Sequence, residues 1–296
     1  RFWLLQNSVH LNAVMRYEHH FAEEMVERHG YDILFSDNRF AFYSKKALSI
    51  YMTHQRLIAF PQAFSAFEGV GVMWHANIMR KFDEVWVPDL EFYPGYAGSL
   101  SHSGATPGDN PLRYVGPLSR FSEGVNDAYP TDSAKYKVVA VVSGVEPART
   151  QFELQLRDAL LKIPGRHMMI LGKPSAEYKC WKEGNIEFHT HLATDAFASA
   201  VKRADYVVSR GGYSTVMDMA ELGAKCIFVP TPGQFEQIVL ARDLSKAGYA
   251  VGIQADELSA RTLTKAFESC VKMPKVEKQG LLRDAVGSVI KKIKER

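Results

Sequence analysis

Short apolar runs alternate with stretches of helical spacing along most of the 296-residue chain. In the first half, apolar side chains recur on one helical face over residues 11–28, and Gly30 follows as a helix stop. Three short apolar runs come next, at 33–35, 48–52 and 85–87, and each is typical of a buried strand. The first half therefore predicts one long helix followed by short strands.

The second half repeats the alternation more regularly. Strands are predicted at 137–142, 168–171, 206–208 and 226–229. Helices are predicted between and after them, at 149–163, 195–203, 214–222 and 235–247. Strands that alternate with helices of this length form βαβ units around a parallel sheet, and such sheets bind ligands at the carboxyl ends of their strands. The pattern predicts an α/β protein built from two Rossmann-like units.

The domain boundary is expected near residue 118. A polar stretch rich in glycine and proline lies before that residue, and a segment with no clear period follows it. The predicted division is an N-terminal domain at 1–118, a linker at 119–133, a C-terminal domain at 134–275 and a terminal segment at 276–296.

Composition narrows the classes of protein. Hydrophobic residues make up 46% and charged residues 23%, the balance of a globular protein rather than a disordered one. The formal net charge of +3 is too small to predict nucleic-acid binding. No apolar run approaches the roughly 18 residues of a membrane span. The three cysteines are far apart in the sequence, which favours a reducing compartment, so we expect a cytoplasmic protein.

The strand-to-helix turn after residue 208 carries the clearest chemical signal. A predicted strand runs into Arg210-Gly211-Gly212, and a helix begins at about Ser214. Glycines let the backbone approach a ligand, and the first-turn N–H groups lack acceptors within the helix, so the turn can bind an anion. Arg210 adds forked donors suited to phosphate, and Asp218 can accept from ribose hydroxyls. The plainer interpretation is a tight turn with Ser214 as an ordinary helix cap.

Two further loops extend this candidate site. After the strand at 226–229, a second strand-to-helix turn presents Glu236 and Gln237, whose carboxylate and carboxamide suit the vicinal hydroxyls of a sugar. By itself this pair is an ordinary polar helix start. A third loop begins with Ser143 and Gly144 and can close over a diphosphate through its backbone N–H groups. Together the loops predict a nucleotide-sugar pocket.

These motifs resemble a known family. Residues 209–252, with Gly-Ala-Lys-Cys-Ile-Phe-Val-Pro and Glu-Gln in register, resemble the C-terminal domain of family-28-type GT-B glycosyltransferases. That family includes the bacterial N-acetylglucosaminyltransferase that acts on the peptidoglycan lipid intermediate. Residues 31–120, with Phe-Asp-Glu-Val-Trp-Val-Pro and Tyr-Val-Gly-Pro-Leu-Ser-Arg-Phe, resemble a branch of uncharacterised bacterial transferases of the same architecture. The resemblance implies a GT-B fold with two Rossmann-like domains and an interdomain cleft.

The resemblance also implies roles for individual residues. Asp218 takes the position of a ribose-binding carboxylate that is usually Glu, and Glu236 stands where the peptidoglycan enzyme has Gln, so the donor sugar can differ. Backbone groups at 192–194 would contact the base. The implied diphosphate ligands are Arg210 and the turn residues Gly211, Gly212, Tyr213, Ser214 and Thr215. The implied ligands of the donor sugar are Glu236 and Gln237.

The two ends of the chain carry further implications of the resemblance. The family's Gly-rich His loop is not matched in residues 1–30, which implies that roughly the first half of the N-terminal domain is missing. The terminal segment at 276–296 is expected to form a helix that crosses back to the first domain, as in GT-B folds, and its residues 286–296 are basic and amphipathic. The alternative is attraction to anionic lipid through Lys291, Lys292, Lys294 and Arg296.

Two residues of the first half are candidates for a catalytic base. His54 follows one predicted strand and Asp37 ends another, so both are expected at carboxyl-end loops. Histidine can take a proton from an acceptor hydroxyl near neutral pH. A structural loop histidine bonded to backbone is the competing interpretation. His189 and His191 alternate as on a strand, but the sequence shows no third ligand near them, so no metal site is predicted.

The sequence therefore predicts an inverting glycosyltransferase that uses a nucleotide-diphospho-sugar, most simply a UDP-sugar, as co-substrate and needs no cofactor or metal. The acceptor is unidentified; a lipid-linked one would suit the apolar stretch at 57–74, which can instead be core, and would bring the protein to the inner membrane surface. Two alternatives remain open. One is a nucleotide-sugar hydrolase or epimerase of the same fold, and the other is a non-catalytic donor-binding subunit.

Overall fold

The computed structural model describes residues 2–59, 68–122, 124, 135–174, 177–275 and 280–295, with side chains from residue 10 onward. The chain forms two compact units: the first comprises Arg1–Pro117 with Lys278–Arg296, and the second is Leu118–Glu277. Their division falls one residue before the predicted end of the N-terminal domain. Of the predicted linker at 119–133, residues 119–122 and 124 are described, and they belong to the second unit.

The first unit is built on a four-stranded parallel sheet in the order β1-β2-β3-β4. Its elements are α1 (Phe2–His29), β1 (Ile33–Asp37), β2 (Leu48–Met52), α2 (Glu68–Met79), β3 (Glu84–Val87), α3 (Ser99–His102), β4 (Leu112–Tyr114) and, from the C-terminus, α9 (Leu281–Lys294). Gly30 ends α1 as predicted, with a φ of 66° and its N–H bonded to the carbonyl of Val26.

Three elements of this unit escaped the sequence pattern, namely β4, α2 and the four-residue α3. β4 lies inside the Gly- and Pro-rich stretch, and its three residues are all only half-buried, so they give no apolar run. α2 overlaps the apolar stretch at 57–74, of which residues 60–67 lie outside the described part. Within α2, Val70 and Met73 are exposed while His75 and Met79 are buried. Apolar residues therefore lie on both the exposed and the buried face of the helix, and the sequence shows no clear amphipathic period.

Helix α9 is held to the first sheet by a buried carboxylate. Glu84 is fully buried in β3 and accepts hydrogen bonds from Trp86 Nε1 at 2.9 Å and from Arg113 Nε at 2.9 Å. Lys292 of α9 also donates to it. Burial by itself raises the pKa of Glu84, but the bonds from Lys292 and Trp86 and the charge of Arg113 outweigh it and hold the pKa below the ordinary 4.5.

This arrangement predicts an acid-sensitive contribution to stability. Glu84→Gln is expected to lower the melting temperature at pH 7, because it replaces a carboxylate that receives three donors, two of them charged. The ionised form is favoured by folding, so its stabilisation is present above pH 4.5 and is lost as the pH falls below that value. Melting curves of wild type and Glu84→Gln should therefore converge on acidification. The exposed Glu268→Gln serves as control, and a gap that is independent of pH would contradict the assignment.

The second unit holds a seven-stranded sheet in the order β11-β10-β9-β5-β6-β8-β7, parallel except for β7 against β8. Its elements are β5 (Tyr136–Val141), α4 (Ala148–Leu160), β6 (His167–Ile170), β7 (Cys180–Glu183), β8 (Ile186–His189), α5 (Thr194–Lys202), β9 (Ala204–Ser209), α6 (Tyr213–Glu221), β10 (Cys226–Phe228), α7 (Phe235–Lys246), β11 (Val251–Gly252) and α8 (Ala260–Ser269). Every strand and helix that the second half predicted is present, with ends shifted by up to three residues.

The order of strands positions the candidate loops. β10, β9 and β5 are consecutive neighbours, so the segments that leave their carboxyl ends lie side by side at one edge of the sheet. Beneath them, buried side chains of these three strands pack with α4 and α8, among them Val138, Val208 and Ile227. Among the described residues, no helix combines the length and apolar character needed to cross a bilayer.

Candidate functional site

The β9–α6 turn has the geometry of an anion-binding turn. Gly212 is the N-cap of α6 in an extended conformation, and no side chain caps the helix there. A Cβ on Gly211 would lie 3.3 Å from the Phe228 side chain, so this glycine lets the turn pack against β10. A Cβ on Gly212 would have no atom within 4 Å, so open space lies beside this backbone. Ser214 is exposed and Thr215 half-buried at the helix start.

Arg210 differs from the expectation drawn from sequence. Its side chain points into the protein, and the residue is only 3% exposed. NH1 donates to the carbonyls of Val229 and Pro230, both at 2.9 Å, and NH2 donates to the carbonyl of Ala148 at 3.3 Å. The guanidinium lies 3.9 Å from the centre of the Phe152 ring, and burial lowers the pKa of Arg210 to about 10.

This placement corrects the phosphate role given to Arg210. The side chain ties together the ends of β9 and β10 and the start of α4, so its donors serve backbone carbonyls rather than a ligand. The physical reason is that a strand-end carbonyl without a partner costs free energy once buried, and a long forked side chain can reach several of them. Within the described residues, its Nε has no acceptor.

Asp218, in the second turn of α6, accepts from a segment that precedes the unit's first strand. Ser119 Oγ donates to Asp218 Oδ1 at 2.7 Å, and Arg120 Nε lies 3.0 Å from Asp218 Oδ2. The Arg120 guanidinium lies 4.8 Å from the ring centres of both Phe121 and Phe197. The Arg120 side chain is 51% exposed, so this cation is accessible where Arg210 is not.

Ser119 and Arg120 are residues of the site that the sequence reasoning missed. They lie in the segment with no clear period, where neither helical nor strand spacing drew attention to them. The signal that could have found them is the Leu-Ser-Arg-Phe run, which is part of the family resemblance and combines a cation with an aromatic anchor. Phe121 is buried and stacks on Phe197 with ring centres 6.1 Å apart, which fixes the neighbouring Arg120 against α6.

The β10–α7 loop places the two sugar candidates at the start of α7. Glu236 and Gln237 are both half-buried. Gln237 Oε1 accepts from the backbone N–H of Thr231 at 2.8 Å, and its amide donates to the side chain of Gln234. The carboxamide therefore shapes its own loop, whose Gly233 has a φ of 81°. Of the pair, Glu236 has the charged group suited to a sugar hydroxyl.

The loop after β5 is the third member of the group. Ser143 is half-buried, and Gly144 is exposed with a φ of 111° and open space around its Cα. Glu146 accepts from Arg149 NH2 and from the N–H of Thr150, so its carboxylate is directed toward α4. That the backbone N–H groups of this loop face a diphosphate stays a prediction.

The two candidate bases lie together at the carboxyl edge of the first sheet. Asp37 ends β1 and is exposed, and His54 follows β2 and is half-buried. His54 Nε2 lies 3.4 Å from the side-chain amide of Gln55. Since Asp37 pairs in register with Met52, the two residues leave adjacent strands.

Residues next to Asp37 and His54 belong to a partly buried polar network that the sequence did not reveal. Tyr51 OH lies 3.1 Å from His75 Nε2 and 3.3 Å from Asn38 Oδ1, which also accepts from Thr53 Oγ1 at 3.0 Å. Burial lowers the pKa of His75 to about 4, so this imidazole is neutral at physiological pH. Asn38 adopts a left-handed conformation with a φ of 53°. The network fixes the two loops that carry Asp37 and His54.

Comparison with known proteins relates the C-terminal part of the chain to a family. The model of the glycosyltransferase family 28 C-terminal domain matches residues 167–292. A curated relative from Burkholderia ambifaria, the UDP-N-acetylglucosamine--N-acetylmuramyl-(pentapeptide) pyrophosphoryl-undecaprenol N-acetylglucosamine transferase, is 30% identical over 185 residues, which are 59% of this chain and 49% of the relative. The chain thus spans about half the length of this relative.

Solved structures share the fold at low sequence identity. The S. aureus MnaA-UDP co-structure has a TM-score of 0.64 at 9% identity, and the match covers 96% of this chain and 82% of that one. The calicheamicin glycosyltransferase CalG4 has a TM-score of 0.58 at 13% identity, and the match covers 100% and 79% of the two chains. With the parallel sheets of both units, these likenesses show that the chain has a GT-B fold, and its residues 167–292 match the glycosyltransferase family 28 C-terminal domain.

Proposed function

We propose that the chain is a glycosyltransferase that transfers a hexose or N-acetylhexosamine from a UDP-linked donor to an acceptor hydroxyl. The main support for the proposal is the first turn of α6, which follows Gly212 and has no side-chain cap, together with the Asp218 carboxylate in the same helix. The family match supports the reaction class. The UDP-N-acetylglucosamine donor of the Burkholderia relative and the UDP in the MnaA co-structure support a uridine nucleotide.

The structure suggests a revised division of roles in the donor site. Backbone N–H groups of the α6 start bind the diphosphate, since their dipoles converge on the open space beside Gly212. Arg120 supplies the accessible guanidinium that Arg210 cannot supply. Its Nε faces Asp218, and its two terminal nitrogens can donate to a phosphate. Asp218 binds the ribose hydroxyls, and the loop 192–194 before α5 contacts the base.

The donor sugar is assigned to the α7 start, with Glu236 as the principal ligand and Gln237 as a residue that holds the loop. Ser143 and Gly144 approach the diphosphate from the β5 loop through backbone donors. The acceptor is proposed to be lipid-linked, by analogy with the pyrophosphoryl-undecaprenol in the relative's name, and the protein would then act at the inner face of the membrane.

The proposed chemistry is a single displacement with inversion at the anomeric carbon. A base, His54 or Asp37, takes the proton of the acceptor hydroxyl as its oxygen attacks, and the nucleoside diphosphate leaves. The charge that develops on the leaving phosphate is stabilised by the α6 N–H groups and by Arg120, so the transfer needs neither a metal nor a cofactor.

Titration with UDP tests the donor site. Gly212→Val places a branched side chain in the open space beside the turn, so we expect UDP affinity to fall at least about tenfold, the equivalent of one lost charge-assisted hydrogen bond. Gly287→Val is the matched control, since Gly287 lies in α9 with no atom within 4 Å of an added Cβ. Calorimetry would measure both. Equal affinity of the Gly212→Val and wild-type proteins, or no UDP binding by wild type, would exclude the proposed site.

Product analysis separates transfer from the alternatives. With a UDP-sugar and no acceptor, a transferase should release little free sugar, whereas a hydrolase would release it steadily and an epimerase would convert the donor to its epimer. A donor-binding subunit without catalysis would leave the donor unchanged even with an acceptor mixture.

A further inference from the structure

The hairpin of β7 and β8 gathers three potential metal ligands. Cys180 of β7 lies directly across from His189 of β8, and Glu187 is two residues before His189 on the same face. One ligand atom from each of these residues lies within 4.8 Å of the other two. β8 is three strands from β9 in the sheet order, so the cluster is separate from the α6 turn.

We propose that Cys180, Glu187 and His189 bind a divalent transition metal ion of the zinc type. The donor set of a thiolate, an imidazole and a carboxylate matches the ligands that Zn²⁺ takes in proteins, and the thiolate disfavours Mg²⁺ and Ca²⁺. This proposal is independent of the glycosyltransferase reaction and concerns the stability of the hairpin.

The distances fit a tetrahedral ion after small side-chain rotations. Usual Zn–S and Zn–N bond lengths place the sulfur and nitrogen about 3.6 Å apart around a tetrahedral ion, and the nitrogen and a carboxylate oxygen about 3.4 Å apart. The observed separations are 3.9 Å from Cys180 Sγ to His189 Nε2 and 2.9 Å from His189 Nε2 to Glu187 Oε1. The observed sulfur-to-nitrogen distance is longer than the ideal one and the nitrogen-to-oxygen distance is shorter, each by about half an ångström or less. A small rotation of His189 toward Cys180 and away from Glu187 therefore reduces both differences.

Charge and outer contacts also fit. A thiolate and a carboxylate neutralise a divalent ion, and Arg166 NH2 holds the other oxygen of Glu187 at 2.8 Å, leaving Oε1 directed at His189. Tyr178 OH lies 3.1 Å from His189 Nδ1. When Nε2 binds the ion, Nδ1–H donates to Tyr178 OH, the kind of outer contact that orients metal-bound histidines.

The proton balance of binding is simple. In the metal-bound state His189 carries a proton on Nδ1 and none on Nε2, and Cys180 has lost its thiol proton to solvent as the S–metal bond forms. Binding therefore releases at least the thiol proton, and the metal affinity rises with pH. The ion would add a link between β8 and the edge strand β7, whose first three residues are exposed.

Titration of the full chain with Co²⁺, followed by competition with Zn²⁺, tests the site. We expect one Co²⁺ per chain, a thiolate-to-metal charge-transfer band, and loss of that band when Zn²⁺ is added. Cys180→Ser should abolish the band, and His189→Gln should weaken Co²⁺ binding at least tenfold. Tyr178→Phe should weaken it roughly tenfold, the effect of a lost outer contact.

The chain offers matched controls. His191→Gln should leave Co²⁺ binding unchanged, since His191 is outside the cluster although it is two residues from His189. Cys226 and Cys270 are buried and should contribute no band. A band that survives in Cys180→Ser, equal weakening by His191→Gln and His189→Gln, or absence of Zn²⁺-competed binding in wild type would each overturn the proposal.

Discussion

Arg210→Met is expected to lower the free energy of unfolding by about 3 kcal/mol or more, since it leaves three backbone carbonyls near the strand ends without their donor, at roughly 1–3 kcal/mol each when buried. The carbonyls are those of Ala148, Val229 and Pro230. For a unit of this size the melting temperature should fall by roughly 6–12 °C. Methionine keeps a flexible apolar chain against Phe152, so the loss reports the hydrogen bonds rather than a cavity. Thermal and urea unfolding would measure it.

Arg120→Met is the matched comparison. Its guanidinium is half-exposed and makes a partly solvated ion pair, so the effect on melting should be small, within about 1 kcal/mol. The two variants should therefore separate stability from binding: the Arg210 variant melts early, and the Arg120 variant melts normally but binds UDP more weakly. An Arg210→Met protein that melts like wild type and fails to bind UDP would restore the phosphate role predicted from sequence.

Asp218→Asn is expected to reduce UDP affinity by about 10- to 100-fold, the range of one or two lost charge-assisted hydrogen bonds to ribose hydroxyls. The amide keeps the size of the side chain but loses its charge and one of its accepting oxygens. Calorimetric titration with UDP, beside the wild type, measures the change. The melting temperature should move little, because the Ser119 and Arg120 contacts lie near the surface.

Asp218→Glu supplies the control for this prediction. The family resemblance assigns glutamate to this position, so the longer carboxylate should bind UDP within a few-fold of wild type. Asp218→Asn and Asp218→Glu proteins with the same loss of affinity would show that the side chain matters for the Ser119 contact and not for ribose. Unchanged affinity in both would remove Asp218 from the donor site.

The contacts of Asp218 also bear on how a donor enters. Ser119 Oγ and Arg120 Nε contact the two carboxylate oxygens of Asp218 that the proposed ribose contacts would use. In the proposed donor complex, the ribose would replace or add to these two contacts, and Ser119 and Arg120 would lie next to the nucleotide. Ser119→Ala would remove the protein donor to one carboxylate oxygen of Asp218 in the ligand-free protein, so the affinity for UDP should rise.

Local pattern was sufficient for four strands and four helices of the second unit, but it missed β7, β8, β11 and α8. The strand β10 and the second halves of β5 and β9 are apolar runs because their residues are mostly buried, and the helices between them show a buried face. The glycine pair of the β9–α6 turn and the helix start behind it were likewise readable, since backbone freedom and uncapped N–H groups are properties of a short segment. In the first unit the same logic gave the core strands but missed the half-buried β4.

Tertiary structure alone decided what the charged side chains do. The sequence shows an arginine beside two glycines. Only the fold shows that the Arg210 side chain is buried and donates hydrogen bonds to backbone carbonyls that are 19, 20 and 62 residues away in the sequence. Asp218 meets Ser119 across 99 residues. His189 meets Cys180 across the β7–β8 hairpin rather than pairing with His191. The apolar pattern is set by burial and is written locally, whereas a polar side chain takes whichever partner the packed elements bring within hydrogen-bond distance, and that partner is set by the strand order and not by neighbouring residues.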